Sequence, residues 1–165
     1  MKKISVLGAT GSVGTNTLKI LIDNKNKYNV IALTAYKNFK KLANYARKLN
    51  CDYAVIGKNS LYKSLKKELA DTKIKCLAGQ EGILEVVNLK VDIIISAIVG
   101  TAGLKPTFDT LGNAKILAVA NKESIISAGS LLLEKAKKNN TKIIPLDSEH
   151  NAIFQILQKE DKINI

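Results

Sequence analysis

Hydrophobic positions along the chain come in short runs of strand length, at roughly 3–7, 29–34, 53–56, 73–77, 91–96, 115–119 and 142–146. Longer segments with helical spacing of apolar residues separate them. In "NTLKILIDN", for example, Leu18, Leu21 and Ile22 fall at i, i+3 and i+4, a stripe that can lie back on a sheet. "DIIISA" and "KILAVA" are nearly continuous in apolar residues, as strands covered on both sides should be. Seven strands alternating with helices predict an α/β fold: a doubly wound, mostly parallel seven-stranded sheet with helices on both faces. The two prolines, Pro106 and Pro145, fall outside the predicted helix interiors. No internal repeat, low-complexity stretch or linker-like segment interrupts the pattern.

The first predicted turn from strand to helix, "SVLGATGSVGTNTLKI", carries Gly8, Gly11 and Gly14. In a doubly wound sheet this turn lies at the carboxyl edge, where nucleotides bind. Gly8 would permit the turn, Gly11 would let main-chain amides approach a pyrophosphate, and Gly14 would let helix and strand pack closely. The hydroxyls of Thr10 and Ser12 could bond phosphate oxygens or cap the helix. The spacing varies the usual dinucleotide fingerprint and makes the sheet Rossmann-like. An NAD site usually places Asp or Glu about twenty residues past the loop, on the ribose 2′-hydroxyl. No acid occurs between Asp23 and Asp52; the second strand ends instead in "TAYKNFKK", where Lys37 and Asn38, with Lys40 or Lys41 nearby, can receive a 2′-phosphate. NADP(H) is therefore expected.

Composition narrows the alternatives. A chain of 165 residues with 46% hydrophobic content can bury one good core. Its net charge of +12 raises the question of nucleic acid, but Arg47 is the only arginine and the lysines are scattered, which favours a solvated basic surface. The longest uncharged apolar stretch, 93–104, is too short for a bilayer span, and the start "MKKISVLG" runs directly into the glycine motif. A cytoplasmic protein with no membrane or nucleic-acid partner is expected. Cys51 and Cys76 fit no zinc spacing and read as core residues. Two rival oxidoreductase classes fail on the residues they need. The Tyr-x-x-x-Lys pairs Tyr36/Lys40 and Tyr62/Lys66 follow early strands, far from where a short-chain dehydrogenase needs its pair, and no cysteine follows Cys76 to serve a semialdehyde dehydrogenase.

Polar chemistry also clusters after the later strands. "SAIVGTAG" offers Gly100 and Gly103 for close approach to a cofactor, and "AVANKESIISAG" places Asn121, Lys122 and Glu123 at the end of the sixth strand. There Asn could bond a ribose or carboxamide, Lys an anionic or carbonyl oxygen, and Glu could fix either; an ordinary helix start would use the same residues. "PLDSEHNAIFQ" sets Asp147 and Glu149 two apart, just past the seventh strand. If extended, both carboxylates face one side and suit Mg²⁺ or Mn²⁺; the other reading is an N-cap with acids that favour the helix dipole.

"GATGSVG", "AYKN", "SAIVGTAGL", "ANKES" and "DSEHNAIFQ", in that order, resemble the 1-deoxy-D-xylulose 5-phosphate reductoisomerase family of the non-mevalonate isoprenoid pathway. The resemblance runs through essentially the whole chain and implies an NADPH-dependent, divalent-metal-dependent homodimer. Its reaction rearranges the carbon skeleton of a sugar phosphate, then reduces an aldehyde intermediate to 2-C-methyl-D-erythritol 4-phosphate. By position, Gly8, Thr10, Gly11, Ser12, Val13 and Gly14 form the pyrophosphate loop, and Tyr36, Lys37 and Asn38 the 2′-phosphate side. Ala97, Gly100, Asn121 and Glu123 lie along the cofactor; many relatives have glycine where Tyr36 stands. Lys122, Ser148 and Glu149 match catalytic and substrate-binding positions, and Asp147 with Glu149 two metal ligands. His150, the only histidine, reads as structural.

The resemblance further implies that residues 1–146 form the NADPH-binding domain and 147–165 the start of a catalytic domain. Relatives continue with a third acidic ligand, a phosphate pocket and a flexible lid, so the 165-residue chain is expected to be a cofactor-binding portion, inactive alone. The alternative reading is a non-catalytic NADP(H)-binding module.

Overall fold

The computed structural model describes residues 1–146. Its strands are β1 (Lys2–Leu7), β2 (Tyr28–Ala35), β3 (Tyr53–Ile56), β4 (Lys75–Ala78), β5 (Val91–Ser96), β6 (Ala114–Val119) and β7 (Lys142–Pro145). They form one seven-stranded sheet in the order β4-β3-β2-β1-β5-β6-β7. Every neighbouring pair is parallel, so the sheet is more uniform than the mostly parallel one expected. β4 begins at Lys75 rather than near Lys73, because the Thr72 hydroxyl accepts from the Ile74 amide at 3.3 Å and holds the preceding residues in a turn.

The helices are α1 (Ser12–Asp23), α2 (Phe39–Leu49), α3 (Tyr62–Glu68), α4 (Gly79–Val87), α5 (Leu104–Asp109) and α6 (Lys122–Lys138). Strand alternation divides the core between the two faces of the sheet. Ile4 and Val6 of β1 join Leu18 and Leu21 of α1, Leu42 and Ala46 of α2 and Leu65 of α3 on one face. Leu7 of the same strand joins Val87 of α4 and Leu132 and Ala136 of α6 on the other. Pro106 falls in the first turn of α5 and Pro145 ends the edge strand β7, both positions where a missing amide costs little.

From β1 the chain winds toward β4 at one edge, and from β5 toward β7 at the other. The loops after β1 and β5 therefore part at the centre of the carboxyl edge and leave a crevice. Two glycines set its floor. Gly8 has φ +83°, and a Cβ there would lie 2.3 Å from the Ala97 carbonyl oxygen. A Cβ on Gly14 would lie 2.2 Å from the Gly8 carbonyl oxygen, so α1 can sit against the turn only without a side chain at that point. On the other flank β2 holds the turn: the Gly8 amide donates to the Thr34 hydroxyl at 3.0 Å, and the Ala9 amide to the Thr34 carbonyl at 2.7 Å.

Because the atoms facing Gly14 are backbone, Gly14→Ala is expected to lower stability by about 1–3 kcal/mol in urea unfolding. At Gly129, in α6, a Cβ would meet nothing within 4 Å, and Gly129→Ala should raise stability by roughly 0.4–1 kcal/mol.

Candidate functional site

A cleft of about 650 Å³ opens at the parting of the loops, lined by Gly8, Thr10 and Gly11 from the first turn, Tyr36 and Gly57 after β2 and β3, and Ala97–Val99 after β5. Helix α1 points its amino end at this region. Its N-cap is Gly11, which offers no side chain to bond the first-turn amides, and Ser12 and Val13 stand exposed. The first amides of any helix lack intrahelical acceptors and carry the positive end of the helix dipole. Left uncapped at a cleft, they can take an anion. Thr10 and Ser12 do not cap the helix, which closes one of the two roles open to their hydroxyls. Gly14 is buried beneath the turn and acts through packing.

At the end of β2, Tyr36 is 71% exposed and forms one wall, its ring so close to Gly57 that a Cβ there would meet it at 3.0 Å. Lys37 is exposed beside it. The Asn38 Oδ1 caps α2 by accepting from the Lys41 amide at 3.1 Å, so any phosphate contact from this side chain would fall to its NH2 group. The Lys41 ammonium reaches back to the Thr10 carbonyl at 3.1 Å, tying α2 to the glycine turn and adding a positive charge there. No carboxylate lines the cleft among the described residues.

On the far side of the site two residues are packed against one another. Asn121, a candidate for the cofactor's nicotinamide half, is 2% exposed, and its side-chain amide is hydrogen-bonded within the protein. Its Nδ2 donates to the carbonyls of Ile98 at 2.5 Å and Gly100 at 2.8 Å, and its Oδ1 accepts from the amide and hydroxyl of Ser124, each at 2.6 Å. Gly103 packs on Asn121: a Cβ there would lie 2.6 Å from Nδ2. Gly100 is open, with nothing within 4 Å of a Cβ. At the start of α6, Lys122 is exposed and Glu123 half-buried. Asp147, Ser148, Glu149 and His150 lie outside the described residues, and among the described residues no group of three His, Cys, Asp or Glu side chains could hold a metal.

Thr34, Gly57, Gln80 and Ile83 join the site without a sequence motif that announces them. Thr34 does leave a signal, as the polar residue near the end of the otherwise apolar "VIALTA". Gly57, Gln80 and Ile83 reach the cleft only through the β3 and β4 crossovers, which no local pattern marks.

Comparison with known proteins decides the family. A family model for 1-deoxy-D-xylulose 5-phosphate reductoisomerase matches residues 4–129. The chain belongs to this family. The reductoisomerase of Wolbachia pipientis subsp. Culex pipiens is 50% identical over 163 residues, 98% of this chain and 42% of the relative. The solved reductoisomerase of Zymomonas mobilis, in complex with NADPH, superposes with a TM-score of 0.91 at 44% identity, covering 93% of this chain and 41% of that one. A solved DOX-P reductoisomerase in complex with NADPH, fosmidomycin and magnesium gives a TM-score of 0.88 at 37% identity, covering 94% and 38%. The chain thus spans about two fifths of the length of the reductoisomerases it matches.

Within this reductoisomerase-family chain neither thiol is placed as a nucleophile. Cys51 is buried after α2 and donates to the Tyr53 carbonyl at 3.2 Å; loss of hydration is the main cause pushing its pKa up to about 12. Burial raises Cys76 as well. A raised folded-state pKa means that the protonated thiol stabilises the fold fully below the ordinary thiol value, about 8.5, and that this contribution fades as pH climbs toward 12. At pH 8 a colorimetric thiol reagent should modify native Cys51 roughly a hundredfold or more slowly than the urea-unfolded chain. Equal rates would contradict this placement.

Proposed function

We propose that residues 1–146 are the NADPH-binding domain of a reductoisomerase that converts 1-deoxy-D-xylulose 5-phosphate to 2-C-methyl-D-erythritol 4-phosphate, and that 147–165 begin its catalytic part. The observation that carries the reading is the uncapped first turn of α1 opening on the cleft beside Lys37, with no carboxylate on the cleft wall among the described residues. The cleft also has the room: about 650 Å³ accommodates much of an extended dinucleotide lying across the sheet edge.

In this reading the amides of Gly11, Ser12 and Val13 hold the pyrophosphate, and Thr10 bonds its oxygens. Lys37, with the Asn38 NH2 group, takes the 2′-phosphate, and the exposed Tyr36 ring lies on the adenine side, where an aromatic face can stack on the base. A carboxylate at this end would repel the 2′-phosphate, so its lack favours NADPH over NADH. The nicotinamide half then extends along Ala97–Gly100 toward α6, where Glu123 faces the ribose and Lys122 a substrate oxygen. NADPH supplies the hydride for the reduction. Asp147 and Glu149 are the carboxylates for Mg²⁺ or Mn²⁺, and Ser148 with Glu149 contacts the sugar phosphate. The whole enzyme acts as a cytoplasmic homodimer. No helix among the described residues is long and apolar enough to cross a membrane.

Fluorescence titration should show NADPH binding to the 165-residue chain well ahead of NADH. Lys37→Ala should weaken NADPH by about tenfold or more, as expected for a charge-assisted hydrogen bond, and leave NADH nearly unchanged. Equal affinities for the two nucleotides in the parent chain would overturn the cofactor assignment. With substrate, NADPH and Mn²⁺ the chain alone should show no sustained NADPH oxidation.

A further inference from the structure

We propose that five lysines gathered at one end of the carboxyl edge form a cationic collar that draws the phosphate-bearing end of the cofactor into the cleft and so raises its rate of capture. This rests on the NADPH reading above. Lysines that lie dispersed along the sequence come together here through the crossovers. Lys37, Lys40 and Lys41 stand between the end of β2 and the first turn of α2, and Lys58 and Lys63 between the end of β3 and the first turn of α3. Main-chain bonds join the two loops, the Gly57 amide donating to the Ala35 carbonyl at 2.7 Å and the Lys58 amide to the Tyr36 carbonyl at 2.9 Å. They share one rim of the cleft, where Tyr36 and Gly57 form the wall.

Acids are sorted the opposite way. The four carboxylates of residues 1–75 are Asp23 at the end of α1, Asp52 just before β3, Glu68 at the end of α3 and Asp71 beyond it, all toward the amino edge. Asp71 binds Arg47, near the end of α2, at that edge as well. The first acid beyond them to reach the carboxyl edge is Glu81, in the first turn of α4 at the β4 margin. None of the five lysines forms an ion pair among the described residues, and Lys37, Lys40, Lys58 and Lys63 are exposed. Helix stability does not account for them. Cations in a first turn oppose the helix dipole, yet the first turns of α2 and α3 hold Lys40, Lys41 and Lys63 and no acid. Across the crevice the charges are mixed, with Lys105 paired to Asp109 and Lys122 followed by Glu123. NADPH carries about four negative charges at pH 7, two on the pyrophosphate and nearly two on the 2′-phosphate. A field of one sign concentrates such an anion at the mouth of the cleft before any contact forms.

Stopped-flow fluorescence with NADPH separates attraction from contact. Lys58→Gln together with Lys63→Gln should lower the association rate constant roughly threefold to tenfold at about 50 mM salt and leave the dissociation rate constant as in the parent. At about 0.5 M salt, where the screening length falls to roughly 4 Å, the two proteins should associate at the same rate. NADH, with about two fewer charges, should be slowed less by the pair of substitutions. Lys25→Gln with Lys27→Gln, an equal loss of charge in the exposed turn between α1 and β2 at the amino edge, should associate nearly as the parent does. Parent-like association of the Lys58/Lys63 variant at low salt would overturn the proposal, as would an equal slowing by the Lys25/Lys27 pair. A change in the dissociation rate alone would make the two lysines direct contacts and overturn it too. A parent chain that binds neither nucleotide sinks the NADPH reading and the collar together, whereas the other adverse outcomes sink the collar alone.

Discussion

The close approach of Gly8 to the Ala97 carbonyl is the constraint on which the rest depends. It brings the turn after β1 and the loop after β5 into contact at the one place where the winding of the sheet reverses. A methyl group at Gly8 would meet that oxygen at 2.3 Å and push the two loops apart. Gly14 adds the second contact, bringing α1 onto the same turn. The first-turn amides of the helix therefore open where the loops part rather than against a neighbouring side chain. Thr34 closes the third side, so the turn is held by β2, β5 and α1 together.

Helix ends around the crevice are treated unequally, and the difference follows from side-chain chemistry. Asn38 caps α2 and Asn121 caps α6, each through its own amide oxygen, whereas Gly11 leaves α1 uncapped. An unsatisfied helix start away from ligand or water is unfavourable; at an open cleft it is a site for negative charge. The buried hydroxyls around α5 show the opposite strategy. Ser96 and Thr107 bond one another at 2.6 Å and Thr107 bonds the Gly103 carbonyl, so the polar groups beneath the β5 loop are consumed within the fold and rigidify it.

Most of the fold is legible in the sequence because parallel strands buried on both faces leave long apolar runs. "DIIISA" and "KILAVA" lie where their composition puts them, and the Gly8–Gly14 spacing foretells both the turn and the packing of α1. The start of β4 is not legible: Ile74 is apolar and buried, yet it precedes the strand, its amide taken by the Thr72 hydroxyl in a local hydrogen bond that periodicity cannot register. The site is harder to read than the fold. For Asn121, residue type does not reveal that Nδ2 bonds carbonyls in another loop, more than twenty residues back. Arg47, the one arginine, is bound on the surface by Asp71, far from any role in anion recognition that composition alone would suggest.

Strand order has a consequence for the chain as it leaves the ribosome. β1 is made first, but its second neighbour is β5, with Ile4 opposite Ile93, and the opposing wall of the crevice follows later still. Until that distant partner emerges, the nascent half-sheet has a glycine turn with nothing to face. On the proposed NADPH reading, binding needs both walls of the crevice, and occupancy would then draw chains toward the native state by mass action.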